Sequence, residues 1–148
     1  MEATRFGILV IVLHLLKKNK TMIISFKVSL FNTQCVFIFG GENLEYSKIR
    51  KVVDKRTDSD DIKKYLLDIK SHNDTKGGTT MDYEDGTYWA VIYKWDNTAY
   101  DYSILQHEIF HVADLMLRKR GFVLSDDSEE AWAYLIQEIT LNVYGKLW

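Results

Sequence analysis

At 148 residues the chain has room for one hydrophobic core and not for two. Hydrophobic residues make up 47% and charged residues 27%, which excludes a disordered chain. A net charge of −2, with Lys/Arg and Asp/Glu interspersed, gives no pull toward nucleic acid or an anionic membrane, so neither is an expected partner.

Residues 6–16 are apolar apart from Gly7 and His14, preceded by Arg5 and followed by Lys17-Lys18-Asn19-Lys20. The run is too short for a span of about 20 residues, so stable membrane insertion is not expected. It has the length of a signal h-region, but the lysines stand where a small-residue cleavage site belongs. An uncleaved weak anchor, a helix packed on the domain, and translation upstream of the true start all remain open. Residues 1–21 are expected to be peripheral and residues 22–148 to form the domain.

Residues 22–30 and 33–39 are rich in Ile, Phe and Val, split by Phe31-Asn32 and closed by Gly40-Gly41, and predict an antiparallel hairpin. The one cysteine, Cys35, lies within this apolar run and reads as a buried thiol. It has no partner for an internal disulfide and suits a reducing cytoplasm. Residues 46–55 and 59–70 show helical spacing; in the second, Ile62, Tyr65, Leu66 and Ile69 form one stripe behind an Asp58 or Ser59 cap. Residues 71–87, polar and carrying Gly77, Gly78 and Gly86, predict a loop.

A third strand is predicted over residues 89–95, with Trp89, Val91, Tyr93 and Trp95 on one face and Ala90, Ile92 and Lys94 on the other. Thr98 and Asp101 approximate a capping box for a helix over 99–120, which Lys119, Arg120 and Gly121 close. A last helix is expected over 129–144. The order predicts an α+β domain, a small, mostly antiparallel sheet packed on helices.

The helix over 99–120 carries His107-Glu108-Ile109-Phe110-His111. Histidines four apart lie one turn apart on one helix face, where two imidazoles can grip one Zn²⁺ at about 2.0–2.1 Å. Glu108 is offset from that face and can reach a metal-bound water rather than the metal. Metal-assisted hydrolysis needs that arrangement, with Glu108 as general base. The pattern arises by chance in roughly one chain in a few hundred of this size.

A catalytic zinc site takes a third protein ligand and keeps a fourth position open. Position 117 is Leu, which excludes a third histidine at the His-x-x-Gly-x-x-His spacing. The remaining candidates are acidic. Glu130, 19 positions past His111, could return against the histidines on the next helix, or serve as N3 of a capping box begun by Asp127. Glu129 and Asp114 are open alternatives; Asp114 could equally hold an imidazole N–H or lie solvated. Tyr134, four past Glu130, is a candidate donor to a developing oxyanion, or a core tyrosine. His14 and His72 have ligand spacing to nothing.

Residues 106–114, Gln-His-Glu-Ile-Phe-His-Val-Ala-Asp, and 127–135, Asp-Ser-Glu-Glu-Ala-Trp-Ala-Tyr-Leu, resemble small zincin-like metallopeptidases encoded by tailed bacteriophages and prophages. A similar pairing of His-Glu-x-x-His with a Glu-x-x-Ala helix occurs in metallopeptidases that cleave phage repressors. The resemblance is specific over about residues 87–140 and architectural over 22–86. It implies a minimal zincin-like domain with Glu130 as the third Zn²⁺ ligand beside His107 and His111, and it implies no substrate. A protein or peptide substrate is expected from the metallopeptidase chemistry, and the host cytoplasm as its place if the chain is phage-encoded. By the same analogy the strand over 89–95 lines the cleft and could pair with an extended substrate, or could be a plain core strand. The expected function is hydrolysis of a peptide bond. The alternative is a non-catalytic, zinc-stabilised assembly protein, or a host-interaction protein, with a phage or host protein as partner.

Overall fold

A computed structural model describes residues 21–40, 75–83 and 86–148, with the single positions 60, 64, 67, 71 and 72. The amino-terminal run and the helix expected over 46–55 lie outside the described residues. So does most of the helix over 59–70, of which positions 60, 64 and 67 are described and helical.

The hairpin forms as expected from β1 (Met22–Val28) and β2 (Thr33–Phe39), antiparallel, with Met22 opposite Phe39 and Val28 opposite Thr33. Asn32 turns it at φ 50°, a left-handed conformation that Asn tolerates better than most residues. The alternation of β1 places Ile24, Phe26 and Val28 in the core and leaves Lys27 exposed.

Two corrections concern residues 71–95. Gly78–Asp82, expected as loop, is a strand, β3. The next strand, β4, covers Tyr88–Ile92 and stops three residues before Trp95. The chain bends there, and Trp95 packs edge-on against Phe39 at 4.8 Å beside the core rather than continuing the face of Trp89 and Val91. The four strands lie in the order β1-β2-β4-β3. Pairing is antiparallel at β1/β2 and β3/β4 and parallel at β2/β4, so the sheet is mixed. β4 is therefore a central strand, bonded on both sides, and offers no free edge to an extended peptide; that part of the expectation fails.

Two helices close the fold, α1 (Ala99–Arg118) and α2 (Glu129–Leu147). Leu105, Ile109, Val112, Ala113, Met116 and Leu117 of α1 recur at helical spacing, as do Trp132, Leu135, Ile139 and Val143 of α2. Both stripes pack on Cys35, Phe37, Phe39, Tyr88, Ala90 and Ile92 of the sheet. Val36, Ile38, Trp89 and Val91 point the other way and are also buried. Burial on both faces explains why β2 and β4 read as unbroken apolar runs. Among the described residues the molecule is α+β, a small mixed sheet with two complete helices packed on it. Among the described residues, no helix is long and apolar enough to cross a membrane.

Candidate metal site

The helix that carries the motif is fixed firmly at its start. Thr98 Oγ1 accepts from the Asp101 N–H at 3.3 Å, and Asp101 Oδ2 accepts from the Thr98 N–H at 2.9 Å, so the expected capping box is complete. Asp101 Oδ2 also accepts from the Asp96 N–H at 2.9 Å. Asp101 is fully buried, and its Oδ1 receives Lys76 Nζ at 2.5 Å; the same ammonium reaches Asp96 at 2.8 Å. Burial alone raises the Asp101 pKa, but the Lys76 ammonium and the Thr98 and Asp96 donors together hold it below the ordinary carboxylate value. The Lys76 ammonium is partly desolvated, which lowers its pKa, yet its two carboxylate partners outweigh this and raise it. Nothing in the sequence singled out Lys76, which lies in a segment read as loop.

With α1 so anchored, His107 and His111 project from one face. Their Nε2 atoms stand 2.9 Å apart, the ring centroids 4.5 Å apart and the planes at 85°. Two imidazole nitrogens at about 2.05 Å from one tetrahedral ion stand roughly 3.3 Å apart. The observed 2.9 Å is the spacing of a hydrogen bond between the two rings, and they need to open by less than half an ångström for the separation to suit a zinc.

Glu108, one residue round the helix, turns inward and is 4% exposed. Its Oε2 accepts a hydrogen bond from Thr80 Oγ1 of β3 at 2.6 Å. The side chain crosses Gly78: a Cβ there would meet Glu108 Cγ at 2.7 Å and the Val91 carbonyl oxygen at 2.8 Å. Only glycine gives the carboxylate this path between helix and sheet. Neither role is legible in the sequence, where three glycines within residues 71–87 predict a loop. The β-branched pair Thr79-Thr80 followed by Met81 was the available signal.

The remaining expected residues are not gathered at the pair. Among the described residues no three His, Cys, Asp or Glu side chains converge as a metal-holding group. Glu130 and Glu129 are exposed in the first turn of α2. The capping box expected from Asp127 is absent: Ser128 occupies the N-cap and makes no side-chain cap bond, its Oγ donating to the Val123 carbonyl instead. Glu130 therefore has no cap to serve. Asp114 pairs with Arg118 at 2.8 Å, so its carboxylate is engaged away from the imidazoles. Tyr134 is 66% exposed, which corrects the alternative of a core tyrosine. His72 stacks on Tyr93 at 4.9 Å, and His14 lies outside the described residues. Comparison of the chain with protein-family models, with curated proteins and with solved structures gives no match, so the site is read from its own residues.

Proposed function

We propose that the chain is a zinc-dependent metallopeptidase of the small, phage-encoded, zincin-like kind its motif resembles, hydrolysing a peptide bond in a protein or peptide. The observation that carries this is the convergence of His107 Nε2 and His111 Nε2 to 2.9 Å on a firmly capped helix. His107 and His111 would hold the metal, with Glu130 as third ligand; Glu130 is exposed in the first turn of α2 and would have to close onto the pair to do so. A bound zinc supplies Lewis-acid polarisation of the scissile carbonyl and acidifies its water.

The protein's own contribution centres on Glu108. Thr80 fixes Oε2, which leaves Oε1 to accept the proton from the attacking water and return it to the leaving amine. Tyr134, one turn past Glu130 with its phenol at the surface, is assigned to the developing oxyanion.

The test is metal content beside peptidase activity for the purified full chain and its variants. His107→Ala and Glu130→Ala should lose bound zinc. Glu108→Gln should keep it and lose activity by about 10²-fold or more. Activity that survives in Glu108→Gln rejects the mechanism, and undiminished zinc in Glu130→Ala rejects that ligand. The near-complete burial of Glu108 favours one second reading, in which the site is structural and the protein acts by binding a phage or host partner. Zinc retained by a chain that cleaves nothing in any variant selects that reading.

A further inference from the structure

A polar cleft lies at the far end of α1, about 13 Å along the helix axis from His111. It is a cavity of about 520 Å³ between the β1–β2 turn, the start of β4 and the end of α1, lined in part by Lys27, Asn32, Thr33, Thr87, Lys119 and Arg120. That volume suits a small molecule.

Arg120 is the best-placed group in it. Its guanidinium lies over the Phe31 ring at 3.9 Å, donates from Nη1 to the Met116 carbonyl at 2.7 Å and from Nη2 to Thr33 Oγ1 at 3.0 Å. Thr33 is buried and in turn donates to the Phe31 carbonyl at 3.1 Å, so the support is itself held. The left-handed Asn32 between Phe31 and Thr33 sets ring and hydroxyl around one guanidinium. Among the described residues only neutral groups hold it, and three of its five N–H donors have no partner there. Such an arginine is positioned without being neutralised, ready for two-point contact with an oxyanion.

The charge around it points the same way. Lys119 is paired with Asp82. Neither Lys27 nor Arg120 has a carboxylate partner among the described residues, so two of the three positive charges stand uncompensated. A helix carboxyl end favours cations, which would account for Lys119 and Arg120. It does not account for Lys27, which reaches the cleft from β1. Buried Thr33 and Thr87 give the wall polar character.

We propose that this cleft binds a phosphate group, either on a small phosphorylated molecule or as inorganic phosphate, independently of the histidine pair. Two uncompensated charges, one of them a fixed guanidinium, match a dianion better than a single carboxylate.

The full chain is titrated with inorganic phosphate, phenyl phosphate and acetate at low ionic strength, followed by backbone amide shifts at residues 86–88 and 119–120. Saturable phosphate binding is expected, weakened about tenfold in Arg120→Gln and several-fold in Lys27→Gln. Lys27 is exposed, so its variant keeps the fold even if Arg120→Gln does not. His107→Ala should bind phosphate as the parent does, which separates this site from the metal site. Phenyl phosphate binding tenfold tighter marks a phosphorylated small molecule as the ligand, and equal binding marks the phosphate group alone. The proposal is overturned by no saturation up to about 20 mM phosphate, by acetate binding as tightly, or by a Lys27→Gln protein that binds like the parent.

Discussion

Glu108 shows how much one side chain's direction depends on its neighbours. A helix position fixes its angle to the histidines, but its burial depends on the path over Gly78 and on the Thr80 hydroxyl. Gly78→Ala puts a methyl group within 2.7 Å of Glu108 Cγ. It is expected to destabilise the fold by about 1–3 kcal/mol through overpacking, read from the urea midpoint at unchanged m-value. Thr80→Val removes the donor to a nearly buried carboxylate and should cost about 1–3 kcal/mol. If Glu108 is the general base, Thr80→Val also lowers turnover while leaving zinc content unchanged. Cys35 offers a contrasting residue, legible from its apolar neighbours alone. Burial, with the nearby Glu138 carboxylate, pushes its thiol up to about 12. The native protein should therefore resist thiol-specific labelling at pH 8 and react fully once unfolded in guanidinium; rapid native labelling would contradict the burial.

At the scale of elements, the sequence disclosed those whose cause is local. The hairpin follows from β-rich runs around a turn, and α1 from apolar spacing behind a Thr98–Asp101 cap, so their limits are met within about two residues. Strand β3 was hidden because all five of its residues are half-buried and it pairs with β4 only along one edge; no apolar alternation announces it. β4 is shorter than its sequence suggests, because the aromatic Tyr93 and Trp95 continue a strand-like composition that does not show the bend after Ile92. The lock between Lys76 and Asp101 spans 25 positions and equally leaves no local trace. It predicts a pH response whose sign is fixed. The Asp101 pKa is depressed in the fold, so its contribution is complete above the ordinary carboxylate value, about 4, and is lost as pH falls through the lower folded value. The raised Lys76 pKa acts at the other end: its contribution is complete below about 10 and is lost as pH rises past the folded value. Asp101→Ala should cost about 2–3 kcal/mol at pH 7, from the lost cap and the charged hydrogen bonds, and clearly less at pH 2, where the parent has already lost part of that contribution. An equal penalty at both pH values would mean that the carboxylate charge contributes nothing.

For the molecule as a whole, what matters is whether a zinc bound as proposed would join one helix or two. His107 and His111 both stand on α1, so an ion held by them alone fixes a single helical turn that the Thr98–Asp101 cap and the core already hold. A third ligand from α2 would couple the two helices across the connector of residues 119–128. The difference is measurable as stability, because an ion that binds only the folded chain stabilises it by about 2.7 kcal/mol at a hundredfold excess over its dissociation constant. For a chain of this size that is a rise in Tm of roughly 5–10 °C. With Glu130 as the third ligand, Glu130→Ala should lose nearly all of that rise and Glu129→Ala should keep it, while both apo-proteins melt near the parent because each carboxylate is exposed. Chelation should then loosen only the first turns of α2 and increase hydrogen exchange there, with α1 and the core-packed remainder of α2 little changed. If Glu130→Ala keeps the full rise, the third ligand lies elsewhere, and Asp114 would first have to leave Arg118 to supply it.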